Sequence, residues 1–370
     1  MPAVITGYGI VSAHGRGLEP LAAALRSGKT GVRPVTRFPA KGLCSELAAE
    51  APIETGADRA LALLQLAAED ALCDREWAPS MRRAVLLGST KGSLPKVLDE
   101  GGSDPFAHLA AWLAQRCRAR GPVRAIGAAC ASSTAAVGAA LQLIEAGRCD
   151  QAIVAGVEAL HAFVYSGFHA LKAMSPRPAA PFDAHRQGLS MGEGAAVLVL
   201  ESPTAAAAGG RKALGWIDGF GAATDGHDQT APHPQGEGLL RACNAALKTA
   251  GLKASQIGRY HAHGTATVQN DSMEAAMCVR LFGQNGVPVC AAKGSTGHTL
   301  GAAGVLDLLG CLAALEAREL WPITGLIELD PKLQIAAVMK LRSHPDPRAL
   351  VATAGFGGIN AALVLRRSAE

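Results

Sequence analysis

Ala125-Ile126-Gly127-Ala128-Ala129-Cys130-Ala131-Ser132-Ser133-Thr134 runs from a short apolar strand through a small-residue turn into a helix rich in Ala and Gly. The strand is expected over 123–128 and the helix over 131–146. The same plan returns later. There an apolar segment at 287–292 leads through Lys293-Gly294-Ser295-Thr296-Gly297-His298 into a helix near 300–317. Glu193-Gly194-Ala195-Ala196-Val197-Leu198-Val199-Leu200 closes the first copy, and Asn360-Ala361-Ala362-Leu363-Val364-Leu365 closes the second. The alanine run and Gly209-Gly210 at 202–212 read as the connection. A duplicated α/β unit follows, with an N-terminal half at 1–205 holding Cys130 and a C-terminal half at 206–370. Strands that alternate with helices predict mostly parallel sheets. Small side chains let backbones approach closely, which places the two Ala- and Gly-rich helices between two sheets. The amphipathic stretches 238–250 and 271–281 read as ordinary cover without chemistry.

At 370 residues, 49% of them apolar, the chain buries a large core and is not disordered. Lys and Arg number 35 against 31 Asp and Glu, with no basic run and no basic-aromatic interleaving, which argues against nucleic acid as a partner. The apolar stretches are broken by polar residues before bilayer length, so no membrane span is expected. Nine cysteines, an odd number with no C-x-x-C pair, read as reduced thiols in a cytoplasm. The opening Met1-Pro2-Ala3-Val4-Ile5-Thr6-Gly7 enters a strand directly, with no export signal.

Cys130 is placed at a helix N-terminus, where first-turn N–H groups and the helix dipole favour thiolate and lower the pKa from about 8.5 toward neutrality. Alone, such a cysteine is more often inert packing. Two histidine motifs alter that balance: Tyr260-His261-Ala262-His263-Gly264-Thr265-Ala266-Thr267 and Gly297-His298-Thr299-Leu300-Gly301-Ala302-Ala303-Gly304. Both follow strand-like segments, at the loop positions where α/β proteins gather their active-site groups.

These motifs, together with Val4-Ile5-Thr6-Gly7-Tyr8-Gly9, Pro181-Phe182-Asp183-Ala184-His185-Arg186, Gly192-Glu193-Gly194-Ala195 and Gly355-Phe356-Gly357-Gly358-Ile359-Asn360, make nearly the whole chain resemble the elongating β-ketoacyl-acyl carrier protein synthases. These are condensing enzymes of the thiolase fold, a layered α-β-α-β-α sandwich of two βα halves. The resemblance implies an acyltransferase that joins an acyl-Cys130 intermediate to malonyl-acyl carrier protein by decarboxylative Claisen condensation, in fatty acid, polyketide or polyene synthesis. It implies His263 and His298 as donors to the malonyl carbonyl, and Lys293 as a charge that keeps them neutral. Asp307 is implied as the partner of Lys293, and the N–H groups of Cys130 and Phe356 as an oxyanion hole. Gly355 and Gly357 would let Phe356 act as a gate. Acyl carrier protein and acyl and malonyl thioesters are the implied partners, in a homodimer or a ketosynthase heterodimer, with no cofactor and no metal.

The chain departs from that pattern in places. Asp307 stands for the usual Glu, His261 for Asn, Ile359 for Thr, and Ala128-Ala129 for Thr-Ala. The approach Ala352-Thr353-Ala354 lacks the usual polar-aromatic character, and the region between Leu86-Leu87-Gly88 and Cys130 is short. The same residues admit other readings. His261, His263 and His298 offer three nitrogen ligands for a metal. A Cys-His thioester hydrolase needs only the thiol and one base. A third reading is a ketosynthase subunit active only beside a chain-length-factor-like partner.

Overall fold

The computed structural model describes residues 1–54, 56–73, 75 and 81–368. Ten strands carry the architecture: β1 (Ala3–Ser12), β2 (Arg83–Gly88), β3 (Val123–Ile126), β4 (Gln151–Glu158), β5 (Gly194–Glu201), β6 (Gly215–Thr224), β7 (Arg259–His261), β8 (Pro288–Cys290), β9 (Arg348–Gly355) and β10 (Ile359–Arg367). The first five are ordered β1-β5-β4-β2-β3 and the second five β6-β10-β9-β7-β8, the same order twice. Pairing senses repeat as well. β1 with β5 and β5 with β4 are antiparallel, and β4 with β2 and β2 with β3 are parallel. Their counterparts in the second set follow suit.

Each set is therefore mixed, and the expected mostly parallel sheets are corrected. Chain length at the closing corner gives the reason. β9 reaches β10 through Phe356-Gly357-Gly358, with φ of 81° at Gly357 and 70° at Gly358, and three residues allow only an antiparallel return. The two sets also join edge to edge, through β1 and β6, which run antiparallel from Ala3 opposite Ile217.

Six helices position the layers: α1 (Leu18–Ser27), α2 (Arg59–Ala71), α3 (Ser132–Glu145), α4 (Glu237–Ala250), α5 (Val268–Phe282) and α6 (Ala303–Glu316). α2 covers β1, β5 and β4 on one outside, and α4 covers β6 and β10 on the other. α3 and α6 lie between, each touching strands of both sets, and they supply Val137, Leu141, Val305, Leu308 and Leu312 to the central core. The result is the five-layer sandwich of the thiolase fold. Small residues at the centre are a requirement of distance. A Cβ on Gly304 of α6 would come within 2.0 Å of Thr134 Oγ1 on α3, and one on Gly138 within 2.3 Å of the Phe220 ring on β6. Among the described residues, no helix is long and apolar enough to cross a membrane.

Candidate active site

β3 ends at Ile126 and α3 begins at Ser132, so Cys130 sits in the turn that joins them. Ser132 ties this turn shut. Its hydroxyl accepts from the Ala128 amide at 2.9 Å and donates to the Ala129 carbonyl at 2.6 Å. Ala129 takes φ of 48°, an uncommon conformation for a residue with a Cβ, and the turn thereby holds the next side chain, Cys130, at the mouth of the helix.

His298 reaches that sulfur from the second half, with Nε2 3.1 Å from Cys130 Sγ. Its loop is pinned on both sides. The His298 amide donates to the Ser190 carbonyl at 2.7 Å, the His298 carbonyl accepts from the Gly192 amide at 2.9 Å, and Glu158 Oε2 accepts from the Gly301 amide at 2.8 Å. His263 stands edge-on to His298, with ring centroids 5.0 Å apart. Potential ligand atoms of Cys130, His263 and His298 all lie within 4.8 Å of one another. The metal grouping considered from sequence is corrected here. His261 turns away from this cluster, with Nε2 3.9 Å from Asp307 Oδ1.

Lys293 and Asp307 form a pair at 2.6 Å, exposed by only 1% and 2%. Burial on its own pushes the Asp307 carboxyl up, and Lys293 followed by His261 brings it below the usual range. Burial and then Lys293 lower His298 to about 3, with Asp307 opposing. The same two causes, with His298 third, hold His263 well below 6.5. Both imidazoles are neutral at physiological pH. His298 Nδ1 is buried with no partner among the described residues, so the proton belongs on Nε2, which faces sulfur.

The expected lowering of the Cys130 pKa is overturned. Burial pushes the thiol up to about 12; Lys293 and the N–H groups of Phe356 and of Cys130 itself oppose that rise, while Glu158 adds to it. The helix position is as read, but a residue only 7% exposed loses more from leaving water than the turn returns. Cys130 rests as a thiol.

Gly355 lies against the nucleophile turn, where a Cβ would stand 3.1 Å from the Cys130 amide nitrogen. Phe356 is 39% exposed and stacks on Phe168 with centroids 5.9 Å apart. Gly357 donates its amide to the Gln229 carbonyl at 2.7 Å. Gly355, Phe356 and Phe168, with Cys130, His263 and His298, line a cavity of about 540 Å³ that also takes in Leu189 and Thr230.

Three acidic anchors escaped the sequence reading. Glu274 on α5 accepts from the His263 and Gly264 amides at 2.7 and 2.6 Å and from the Tyr260 hydroxyl at 2.7 Å. Asp271, one helical turn earlier, accepts from the Phe182 amide at 2.7 Å. Stretch 271–281 is thus no mere cover. Glu158 is the third, accepting from the Ser89 hydroxyl at 2.8 Å besides the Gly301 amide. The usable signal was an acid at i and i+3 on an otherwise apolar helical stripe.

The N-terminal domain model of beta-ketoacyl synthases matches residues 1–206, and the C-terminal domain model matches 214–326. The chain belongs to the β-ketoacyl synthase family. It is 33% identical to 3-oxoacyl-[acyl-carrier-protein] synthase 2 of Rhizobium meliloti, over 98% of each chain. It is 32% identical to a putative polyketide beta-ketoacyl synthase 1 of Streptomyces cyaneus, over 98% of this chain and 97% of that one. Among solved structures it superposes on the ishigamide ketosynthase/chain length factor with a TM-score of 0.90 and 30% identity, covering 100% of this chain and 99% of that one. The alignment to the Streptomyces cyaneus protein spans 413 positions against 370 residues here, so this family member lacks segments that its relative carries.

Proposed function

We propose that this condensing enzyme carries out decarboxylative Claisen condensation of an acyl group held on Cys130 with malonyl-acyl carrier protein. The observation that carries the reading is the thiol and two neutral imidazoles within 4.8 Å at the floor of an acyl-sized cavity. In the first step Cys130 sulfur bonds to the acyl carbonyl and the carrier thiolate departs with the proton that Cys130 gives up. His298, whose Nε2–H faces that sulfur, stabilises the thiolate as it forms. In the second, malonyl loses carbon dioxide and its bonding pair becomes an enolate. The N–H groups of His263 and His298 meet the enolate oxygen as charge builds on it. Its carbon then attacks the acyl-Cys130 carbonyl, the N–H groups of Cys130 and Phe356 hold the oxyanion, and the expelled thiolate takes up one proton from water.

Lys293 supports this division by keeping both imidazoles neutral, and its positive charge beside the cluster disfavours a metal ion. Asp307 fixes Lys293. Gly355 and Gly357 leave Phe356 room to gate the cavity. We assign the halves 1–205 and 206–370 as the nucleophile-bearing and histidine-bearing units, and the cytoplasm as the compartment. A second subunit, either another copy or a chain-length-factor-like partner, is supported by the exposed Arg124 and Ala125 on edge strand β3 and by Phe163 and Leu171, exposed by 67% and 52%. The pathway is fatty acid, polyketide or polyene synthesis. Acyl-loaded carrier and malonyl-carrier mixed with the enzyme should yield a 3-oxoacyl carrier longer by two carbons. Free acid as the sole product would support the hydrolase reading instead.

A further inference from the structure

The turn Ser89-Thr90-Lys91-Gly92 leaves the end of β2, and Glu158 is the last residue of β4, which runs parallel to β2 with Gly88 opposite Gly156. Parallel strands place both ends on one side of the sheet, the side on which the Cys130 turn leaves β3. The Glu158 side chain is fully buried and takes donors from two directions. From its own sheet come the Ser89 hydroxyl at 2.8 Å, the Thr90 amide at 2.9 Å and the Thr90 hydroxyl. From the second half comes the Gly301 amide at 2.8 Å, on the same Oε2 that accepts from Thr90. Lys91, its side chain 10% exposed, completes the pair with Nζ 3.1 Å from Oε1.

What Glu158 holds across the halves is a strained turn. Leu300, two residues after His298, takes φ of 46°, a costly conformation for a residue with a Cβ, and its side chain is buried in the apolar cluster that contains Cys130. The turn also approaches closely. A Cβ on Gly301 would stand 2.6 Å from the Thr90 amide nitrogen and 2.8 Å from Glu158 Oε2. An ionised carboxylate is a strong acceptor for an amide, and Lys91 gives that buried charge its counter-ion. The Cys130 turn, by contrast, is closed by the Ser132 hydroxyl and does not use Glu158.

We propose that Glu158, locked by Lys91, is a positioning residue for the malonyl step. Through the Gly301 amide it fixes the turn after His298, and so the direction in which Nε2–H meets the enolate oxygen. Acylation depends first on the sulfur and its own turn and is less sensitive to that direction. The inference rests on the condensation reading above.

Two double variants of the full chain test it, with malonyl-carrier decarboxylation and Cys130 acylation measured separately. Each removes the Lys91 and Glu158 charges together, so neither leaves an unpaired ion in the core. Lys91→Met with Glu158→Gln keeps an amide oxygen that accepts from Gly301, and is expected to keep the wild-type ratio of the two rates. Lys91→Met with Glu158→Leu has no acceptor there and is expected to lose about tenfold to a hundredfold in decarboxylation, with acylation falling far less. Equal behaviour of the two variants, or both rates falling in step, would overturn the inference. Should the Leu variant not fold, Glu158→Asp decides, since it keeps the charge beside Lys91 and draws it one methylene back from Gly301. A decarboxylation-selective loss in that variant supports the positioning role, and an unchanged ratio refutes it. His298→Ala separates the two levels of the argument. Unimpaired decarboxylation there would overturn the condensation reading itself, whereas its loss beside an intact Leu variant would overturn the positioning role alone.

Discussion

Removing Lys293 alone should be far more damaging than removing the Lys293–Asp307 pair. At 2.6 Å and an effective dielectric of about 20 the pair attracts by about 6 kcal/mol, and burying both ions takes back part of that. Lys293→Met leaves the Asp307 charge in the core with only His261 near, so we expect a loss of about 3–5 kcal/mol at pH 7.5. Lys293→Met combined with Asp307→Asn should recover most of it. The pH dependence has a definite sign. In the wild type Asp307 is held below its ordinary pKa, so its contribution is present at neutral pH and is lost as pH falls through the folded value. Without Lys293, burial pushes the carboxyl up, and the variant should approach the wild type as pH drops from 7.5 to 5 and Asp307 takes a proton. Urea unfolding of the four proteins of this cycle, at both pH values, reads the result. A single variant as stable as the wild type, or a double variant no better than the single, would refute the buried-pair account.

Three further expectations follow from the same geometry. His298→Ala should leave acylation of Cys130 measurable while lowering decarboxylation of malonyl-carrier by about 10²–10³, since one donor to the enolate oxygen is lost; equal loss of both steps would contradict the assigned roles. Alkylation of Cys130 by iodoacetamide in the unacylated enzyme should still be climbing above pH 9, because the thiol sits near 12, and a plateau near pH 7 would restore the thiolate picture. Gly304→Ala should destabilise by about 1–3 kcal/mol, because its Cβ would meet Thr134 Oγ1 at 2.0 Å, and an unchanged denaturant midpoint would show that α3 and α6 can part without cost.

The duplicated plan was legible because each half repeats one sequence event, an apolar strand running into an Ala- and Gly-rich helix. Close helix packing at Gly138 and Gly304 requires just that composition. Cys130, His263, His298, Lys293 and Asp307 were legible for a related reason. The first four sit in short motifs just past strand ends, Asp307 on α6 was placed by the resemblance, and chain-distant segments bring them together. Strand direction was not legible, since hydrophobic pattern does not encode sense; the three-residue corner 356–358 does, once its glycines are read as a turn. The Cys130 pKa was misread because sequence shows the helix start and hides the burial, which is the larger effect. Glu274, Asp271 and Glu158 were missed since a buried carboxylate looks like a surface one until the amides it accepts from are placed. His261 shares a motif with His263, but β7 ends at His261, so the two-residue period of the strand does not reach His263 and the two meet different neighbours.

The central claim is that Cys130 carries the acyl group. The measurement closest to it is the intact mass of the protein after mixing with acyl-loaded carrier protein, for the wild type and for Cys130→Ala, with any partner subunit present. The account predicts one acyl adduct on the wild type and none on the variant. The same adduct on Cys130→Ala would contradict it.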